Sequence, residues 1–496
     1  MTMMTCDVIV LGSGFGGSLL STLLAKSGRS VVMLDRGQHP RFAIGESSTP
    51  LADTTLRLLA EEFDVPELRQ LSQYGTWKQS HPDVTCGLKR GFSYFGHDGS
   101  GRFSPTDQLL VAASPSDHHA DTHWLRSDVD GWFFRLAQQQ GVRVFQNVTY
   151  RLQPQDRGWQ VCGTSDDQSI NLTGEFVIDA TGGSSAVLQT LQVADRTEWL
   201  TTYSHAIFGH FCGVRPVVDV LQELHVDCGR HPFACDAAAV HHVLNDGWMW
   251  QLRFDDNSVS AGVAFDPRRS ARLSDGRSVQ QEWKRRIDGF EFLRLQFRDA
   301  QVIRPDRGLQ QTGRLQRLAA AAAGTTWAAL PSTVGFVDPL HSTGIAHTLF
   351  GVHRLARILT SDVSKSARTG VLAEYSRQVI EEIRLVDDLV EGCYAALPNF
   401  RLFSAWCMLY FAAVTSMEQA KSDIEGVPAF LRADDVAFRA MLVAARQKLQ
   451  AAIDGGGDSN NGTQFEQWLR TAIEPWNCVG LLDPDANGMY AGTAAG

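Results

Sequence analysis

Paired cysteines, long apolar runs and an excess of positive charge are all missing from this sequence of 496 residues. The nine cysteines are scattered singly with no C-x-x-C, which argues against a disulfide framework or a zinc site and favours free thiols in a reducing cytoplasm. No apolar run approaches the roughly 20 residues of a membrane span, and a first strand predicted from Asp7 leaves no room for a signal peptide. The formal charge of −10 argues against a nucleic-acid-binding surface. We therefore expect a cytoplasmic protein of two or three domains, without metal, nucleic-acid or membrane partners.

A glycine-rich turn near the beginning is the most informative feature that the sequence does contain. The apolar, β-branched run Asp7–Leu11 is followed by GSGFGG at residues 12–17, by a helical pattern up to Ala25, by a second apolar run, Ser30–Leu34, and by Asp35. This order of strand, turn, helix, strand and acid is the one that a dinucleotide-binding fold requires.

The residues of this turn suit a bound dinucleotide. Gly12 allows the tight turn, Gly14 lets a pyrophosphate approach the backbone, and Gly17 lets the helix pack closely on the strand. The helix N-terminus offers N–H groups and a positive dipole end to the phosphates, and Asp35 is expected to accept a hydrogen bond from a ribose hydroxyl. A glycine-rich turn without a ligand is the alternative.

A second loop, near residue 340, has the pattern of an anion site. The strand-like run Thr326–Leu330 precedes it, and a helix with Ile345 on its apolar face follows it. Because the helix begins where the loop ends, the N–H groups near Thr343 and Gly344 should point at open space and attract negative charge.

The loop after Asp35 carries a family resemblance. RF at residues 41–42, GES at 45–47 and Pro50 resemble the flavin-dependent halogenases, most closely the branch that halogenates free phenols. The resemblance can be followed to about residue 360. It implies an α/β fold with a Rossmann-like FAD-binding domain of the p-hydroxybenzoate-hydroxylase type. The strand patterns over 200–300 predict an inserted β-rich substrate domain, and the helical patterns from Ser361 onward predict a C-terminal helical region. DATG at residues 179–182, after an apolar strand, is a second mark of such proteins and separates an FAD enzyme from a plain NAD enzyme.

The expected domain boundaries follow from the same comparison. The FAD-binding domain is expected to be discontinuous. The helices that follow both domains are expected to form a cap over the substrate pocket, with a docking surface as the alternative. The ranges are residues 1–75, 125–200 and 300–360 for FAD binding, 76–124 and 201–299 for the substrate domain, and 361–496 for the cap. Within the cap, helices are predicted over 372–397, 400–415 and 428–449, with a flexible loop over 454–463.

Lys89 lies in the run Cys86–Phe95, where aromatic residues alternate with small ones and predict a strand that lines a pocket. A surface lysine on a strand edge is the ordinary interpretation. The resemblance favours another, because halogenases carry a lysine in a K-x-G-x-x-[FY] context, matched here by Lys89, Gly91 and Tyr94. In the family that lysine delivers the halogen.

Trp248 and Trp250 lie two residues apart on a predicted strand, so both can wall one pocket. Packing in a sheet core is the alternative. Halogenases usually show W-x-W-x-I-P at this place, a motif thought to keep the flavin from hydroxylating the substrate directly. Arg253 replaces the proline here, and this departure favours plain oxygenation.

The loop near residue 340 also resembles the family, in which it cradles the flavin ring and holds the halide at a Ser-Thr-Gly corner. Contact with the flavin without a halide is the alternative. Indole halogenases place a glutamate where this sequence has His341, so a glutamate-dependent tryptophan halogenase is not expected. His341 could orient Lys89 or deprotonate a phenol. It could equally be inert.

Residues 96–125 are dense in Gly, Ser, Asp and Pro and are predicted to form a loop. His118, His119 and His123 within it are expected to be solvated or to line a pocket rather than to bind a metal. A helix is predicted next, with Ser127 or Asp128 as its N-cap.

The resemblance implies a full set of site residues. The catalytic residues are Lys89 and His341. The FAD contacts are Gly12, Gly14, Phe15, Gly16, Gly17, Asp35, Arg36, Glu46, Ser47, Arg126, Asp338, Gly344 and Ile345. The halide site is Ser342, Thr343 and Gly344, and the substrate pocket is walled by Tyr94, Trp248 and Trp250.

The implied reaction uses reduced FAD from a separate flavin reductase, oxygen, and chloride or bromide. Hypohalous acid would form beside the flavin, and Lys89 would deliver the halogen to a small electron-rich aromatic. A free phenol is favoured, and a carrier-bound pyrrole or tyrosine is the other substrate class considered. The sequence is compatible with a homodimer.

Three other functions are compatible with parts of the pattern. A flavin hydroxylase or epoxidase is supported by Arg253 and opposed by Lys89 in its motif. A flavin reductase of isoprenoid double bonds shares the N-terminal loop but not the aromatic-rich lysine strand. An inactive FAD-binding interaction protein would not need the halide-like loop.

Overall fold

The computed structural model describes residues 3–166, 168–269, 276–362, 364–420, 427–456 and 459–492. Its strands are β1 (Met4–Leu11), β2 (Val31–Leu34), β3 (Cys86–Lys89), β4 (Gly91–His97), β5 (Phe103–Ala112), β6 (Asp121–Trp124), β7 (Arg143–Phe145), β8 (Val148–Gln155), β9 (Gly158–Ser165), β10 (Gln168–Asp179), β11 (His205–Cys212), β12 (Ala239–Val243), β13 (Gly247–Arg253), β14 (Val259–Phe265), β15 (Gln301–Arg304), β16 (Gln310–Gln311), β17 (Arg317–Leu318), β18 (Ala323–Gly324), β19 (Trp327–Ala329), β20 (Gly335–Phe336) and β21 (Met489–Tyr490).

The α-helices of the described residues are α1 (Phe15–Lys26), α2 (Pro50–Glu62), α3 (Glu67–Gln70), α4 (Tyr74–Ser80), α5 (Arg126–Gln139), α6 (Ala186–Thr190), α7 (Val217–Glu223), α8 (Val279–Asp288), α9 (Glu291–Gln296), α10 (Pro331–Val334), α11 (Thr343–Thr360), α12 (Lys365–Ala396), α13 (Phe400–Gln419), α14 (Val436–Asp454) and α15 (Ser459–Ala472).

The first of two large sheets has a parallel centre. Its strands follow the order β18-β19-β10-β1-β2-β7, and the hairpin of β8 and β9 extends from β10. β1 pairs in parallel with both β2 and β10. A strand that is covered on both faces needs a continuous apolar run. β1 has such a run, and its residues Ile9, Val10 and Leu11 are fully buried. Helices α1, α5 and α11 pack together. The predicted α/β class is confirmed.

The second large sheet is mostly antiparallel and follows the order β15-β11-β14-β13-β12-β4-β5-β21, with β16 on β11. β4, which follows the strand of Lys89 in the chain, joins β12 in parallel, and β12 pairs with β13, the strand of the two tryptophans. Its apolar side chains form separate clusters with α8 and α9 on one side and with α7 and α9 on another. The sheet thus brings residues far apart in sequence to one site.

Two strand predictions need correction. The predicted loop over 96–125 contains β5 and β6; the outer half of β5 is exposed and polar, which concealed its strand character. The predicted single strand over Cys86–Phe95 is broken at Arg90, whose N–H donates to Ala237 and whose carbonyl accepts from Ala113. β3 therefore pairs with β6, whereas β4 belongs to the second large sheet.

Three helix boundaries also differ from prediction. α5 begins at Arg126 with Leu125 as its N-cap, so neither Ser127 nor Asp128 takes that position. α14 begins at Val436, where the Asp435 side chain caps it by accepting from Phe438 N–H. α15 begins at Ser459, inside the predicted loop over 454–463.

α13 is the one helix of the described residues that is long and apolar enough to cross a membrane by length and composition. Most of its apolar stretch, 83%, is buried inside the protein. The helix extends beyond the predicted range of 400–415, and its uninterrupted apolar run is shorter than the helix because Arg401 and Glu418 lie near its two ends.

Candidate active site

A groove of roughly 590 Å³ starts at the glycine-rich turn. Gly12 has φ +97°, a backbone conformation that residues with a side chain rarely adopt. A Cβ at Gly17 would lie 2.0 Å from the Gly12 carbonyl oxygen, so that position also requires glycine. Phe15, Gly14 and Gly16 line the same groove. The positive φ of Gly12 and the close contact at Gly17 agree with the tight turn and the close helix packing expected at these positions.

Four arginines line the groove: Arg36, Arg41, Arg126 and Arg317. Arg126 is fixed by Asp130, at 2.8 and 2.9 Å, and donates to the Ile44 and Gly45 carbonyls.

Arg317 was not predicted, since no motif marks it. Burial lowers its pKa to about 10, and its Nε has no hydrogen-bond partner among the described residues. A half-buried, incompletely paired cation that lines the same groove as the start of α1 suits an anionic group such as a pyrophosphate. The groove therefore fits a flavin dinucleotide.

Asp35 lines the groove, but its oxygens are already engaged. Oδ2 accepts from Ser13 N–H at 2.6 Å and from the Ser13 hydroxyl at 2.7 Å, and Arg41 donates to both oxygens. Burial opposes ionisation, yet the hydrogen bond and charge of Arg41 outweigh it and lower the pKa of Asp35 to about 2. The ribose contact of Asp35 remains a prediction.

The groove continues into a cavity of roughly 170 Å³ lined by Trp248 and Trp250. Their ring centroids lie 5.8 Å apart, so the two indoles share one wall as predicted from their spacing. Glu46 also lines this cavity and accepts from His210 and Ser260, both at 2.7 Å. This tie fixes the loop after β2 to the second large sheet. We call this cavity the tryptophan chamber.

Asp338 lines the tryptophan chamber without a free carboxylate oxygen. Oδ1 accepts from Trp248 and from Leu340 N–H, and Oδ2 accepts from Ser204 and Tyr394. Burial raises the pKa of Asp338 to about 6 despite these bonds. Its carboxylate thus fixes the chamber wall, and its predicted contact with FAD stays a prediction.

The predicted halide loop closes the junction of groove and chamber. Ser342 has φ +54°, a conformation costly for a residue with a side chain and typical of functional turns. α11 begins at Thr343, so its first N–H groups lack partners within the helix. A Cβ at Gly344 would meet nothing within 4 Å, so there is open space at this corner. Ser47 lines the chamber nearby, and its hydroxyl has no partner among the described residues.

Lys89 is fully buried and does not line the tryptophan chamber, but its charge acts on His241, which does. Its Nζ donates to the Ser48 carbonyl and lies 4.1 Å from the centroid of the Phe92 ring. Burial lowers its pKa to about 8, against the opposing charges of Asp121, Asp53 and Glu418. The ordinary interpretation, a surface lysine on a strand edge, is wrong.

A layer of rings connects Lys89 to the chamber. The ring centroid of His241 lies 6.0 Å from Phe92, 4.4 Å from Tyr94 and 5.2 Å from Trp248. Burial lowers the pKa of His241 to about 3, so its ring is neutral. Tyr94 packs behind the wall instead of lining the cavity.

His341 stacks on Tyr410 with centroids 4.5 Å apart and planes at 6°. Its Nε2 lies 3.5 Å from Cys393 Sγ, and its Nδ1 has no partner among the described residues. Burial lowers its pKa to about 3. Its nearest partners therefore come from α12 and α13 and do not include Lys89.

The three histidines weighed as metal ligands are placed differently. His118 and His119 touch each other, with centroids 5.0 Å apart, whereas His123 is buried on β6 with Nδ1 3.1 Å from the Arg253 carbonyl. Over the residues that the structure describes, no group of three or more His, Cys, Asp or Glu side chains could hold a metal ion.

Comparison with known proteins places this geometry in a family context. The model of the tryptophan halogenase family matches residues 101–400. The monodechloroaminopyrrolnitrin halogenase PrnC of Pseudomonas fluorescens is 28% identical over 414 residues, covering 82% of this chain and 70% of that protein. The tetracycline 7-halogenase of Kitasatospora aureofaciens is 26% identical over 422 residues, covering 82% and 73%.

Solved structures extend the likeness over the whole chain. Halogenase PltM, in a complex with phloroglucinol and FAD, superposes with a TM-score of 0.85 at 25% identity, covering 99% of both chains. The expected resemblance and fold are confirmed, and the fold likeness includes the C-terminal helices, where the sequence resemblance ended.

Proposed function

Because this chain belongs to the tryptophan halogenase family, whose model matches more than half of it, we propose that it binds FAD and halogenates a small electron-rich phenol through Lys89. Its named relatives are flavin-dependent halogenases, so it is an enzyme of this kind. The observation that carries the proposal is a fully buried lysine, with a pKa near 8, close to the tryptophan chamber.

The groove residues would hold the cofactor in a defined direction. The N–H groups at the start of α1 and the arginines of the groove suit its phosphates, and the tryptophan chamber suits its flavin ring. When bound and reduced by a separate flavin reductase, FAD supplies the electrons that activate oxygen toward the halide.

The start of α11 would hold chloride or bromide. The N–H groups near Thr343 and Gly344 carry the positive end of the helix dipole, which attracts an anion. The carboxyl oxygens of Asp338 and Glu46, which line the chamber, accept hydrogen bonds from other groups. Hypohalous acid released there would have to pass the ring layer to reach Lys89.

Lys89 would act as an ammonium. A pKa of about 8 leaves most of it protonated at neutral pH, so it can donate a hydrogen bond to hypohalous acid and polarise the halogen toward an aromatic ring. Because Lys89 is fully buried, the substrate can reach it only after neighbouring side chains move.

The ring layer favours halogenation over direct oxygenation. Trp248, His241 and Phe92 lie between the flavin site and the lysine and would keep the two reactive centres apart. Arg253, which replaces the expected proline, donates to the Val214 carbonyl at 3.1 Å and does not line the chamber.

A phenol is favoured by the PltM complex with phloroglucinol. The test supplies purified protein with FAD, a generic flavin reductase, NADH, oxygen and chloride or bromide, and presents phenols, indoles and pyrroles separately. We expect phenol products in which halogen replaces hydrogen, identified by mass spectrometry. Products that gain only oxygen would favour the hydroxylase instead.

A further inference from the structure

Two buried carboxyl groups without a role in the proposed function lie beside Lys89. Asp121 stands opposite Lys89 in the antiparallel pairing of β3 with β6, and opposite residues direct their side chains to the same face. Asp53 comes from the first turn of α2 and is hydrogen bonded to Asp121. Their exposed fractions are only 3% for Asp53 and 2% for Asp121.

Ser48 joins this pair to the lysine. Its carbonyl accepts from Lys89 Nζ, and its hydroxyl donates to Asp53 Oδ1 at 2.8 Å. Its N–H donates to the carbonyl of Thr122, the neighbour of Asp121, at 3.0 Å. Three segments of the chain therefore hold the two carboxyl groups and the amine in one fixed arrangement.

Two carboxylates within hydrogen-bond distance in a buried site cannot both be ionised. Burial, and then the charge of Asp121, raises the pKa of Asp53 well above its ordinary value. One proton therefore stays on the pair at neutral pH, and one negative charge remains to face Lys89.

The other ionisable groups around Lys89 do not replace the negative charge of the aspartate pair, which remains one of the main partners of the lysine. Glu418 on α13 contributes a further negative charge, and Arg57 faces Asp53 from the same helix. His123 and His241, which face Lys89 from β6 and β12, are neutral because burial lowers the pKa of each to about 3.

We propose that Asp53 and Asp121 form a proton-sharing acid pair that positions Lys89 and keeps it an ammonium. The proposal rests on the proposed role of Lys89 in halogen delivery. It makes both aspartates positioning residues, which act through the lysine and not on the substrate.

A shared proton predicts a non-additive response to substitution. In Asp53→Asn or Asp121→Asn, the remaining carboxyl group loses its repelling neighbour and ionises, so one negative charge stays near Lys89. Only the double variant removes that charge. Independent carboxylates would instead give two single effects that sum in the double variant.

The experiment follows the titration of Lys89 by NMR in full-length protein containing ¹³C,¹⁵N-lysine, with Lys89→Ala used to assign its signal. We expect each single variant to move the midpoint by less than about 0.5 pH unit and the double variant to lower it by about one unit or more. Asp255→Asn is the matched control, because Asp255 binds the surface Lys78 at 2.7 Å beyond the other end of β3. An unchanged midpoint in the double variant, or single effects that sum, would overturn the proposal.

Infrared spectroscopy gives a second readout should the double variant fail to fold. At neutral pH we expect a protonated-carboxyl C=O band in the difference spectrum of wild type minus each single variant, and none in that of wild type minus Asp255→Asn. The absence of this band from both single-variant difference spectra would contradict the shared proton. Neither readout uses turnover, so an inactive wild type would overturn the proposed function without affecting this result.

Discussion

Among single residues, Gly344 allows a substitution that should alter the proposed halide site without disturbing the fold. A Cβ there meets no atom within 4 Å, so Gly344→Ala should fold normally. The added methyl group would occupy the space beside the first N–H groups of α11. We expect the KM for halide to rise about tenfold, equivalent to about 1.4 kcal/mol, as measured by initial rates over a chloride series.

Gly370→Ala is the control for this substitution, because Gly370 lies on α12 and also has open space around its Cβ. It should leave the halide KM unchanged. An unchanged KM in Gly344→Ala as well would place the halide elsewhere.

The burial of Asp338 should make the stability of the folded protein depend on pH. Its pKa in the folded protein is about 6, above the ordinary value of 3.8, because burial favours the neutral form. The folded state therefore holds its proton more tightly, and the stabilisation is full below pH 3.8 and is lost as the pH rises through 6.

Asp338→Asn should remove this dependence. We expect the free energy of unfolding of the wild type, relative to the variant, to fall by roughly 2–3 kcal/mol between pH 4 and pH 8. Urea denaturation of the FAD-free protein at both pH values measures it. A constant difference would show that Asp338 is ionised throughout.

Single residues also show where sequence reasoning stopped. Lys89, Trp248 and the glycine turn could be named from the sequence as candidate site residues, because each belongs to a motif with fixed spacing. Asp53 and Asp121 could not, since they come from separate segments and meet Lys89 only through strand pairing and helix packing.

Among the elements, α11 has its position fixed by a buried charge cluster. Glu382 on α12 accepts from Arg354 at 2.6 and 3.0 Å and from His347 at 3.0 Å, both on α11, and also from Phe430 N–H. Burial opposes the charge of Glu382, but Arg354 and His347 outweigh it and lower its pKa to about 2. The predicted halide loop at the start of α11 is thereby supported through contacts in the first turns and the middle of that helix.

Glu382→Gln should destabilise the protein by about 3–5 kcal/mol at neutral pH, because it leaves Arg354 buried without a counter-charge. The contribution is present above pH 4.5 and is lost as the pH falls through about 2, so the difference should narrow in acid. Chemical denaturation measures it.

The matched control is Glu374→Gln, which breaks the half-exposed pair with Arg377 on the same helix. It should cost less than about 1 kcal/mol. Equal effects of the two variants would contradict the stabilising role of the buried cluster.

Element prediction succeeded where the periodicity was strong and failed where exposure hid it. β1 and β2 both end at the residues predicted for them, Leu11 and Leu34, because their apolar runs are buried on both faces. β5 was predicted as loop, since its polar half lies at the surface.

Across the whole molecule, the cofactor groove and the lysine lie on opposite sides of one wall. The groove opens between the first sheet and α11, and the tryptophan chamber lies against β12 and β13 in the middle of the second sheet. Lys89 is buried beside Phe92, which packs on Tyr410 and Phe411 of α13. The composition of the C-terminal helices predicted their existence but not their contribution to the site. Halogenation through Lys89 therefore requires a reactive species that crosses from the cofactor side of this wall to the lysine side.

That requirement is tested most directly by the rate of halogenated product formation in Lys89→Met, compared with Lys78→Met and the wild type under identical FAD reduction. Lys78 is a partly exposed lysine in a surface ion pair and serves as the control. We predict a loss of at least about 100-fold in Lys89→Met, with FAD binding and reoxidation retained, and an unchanged rate in Lys78→Met. Halogenation that persists in Lys89→Met would contradict delivery through this lysine.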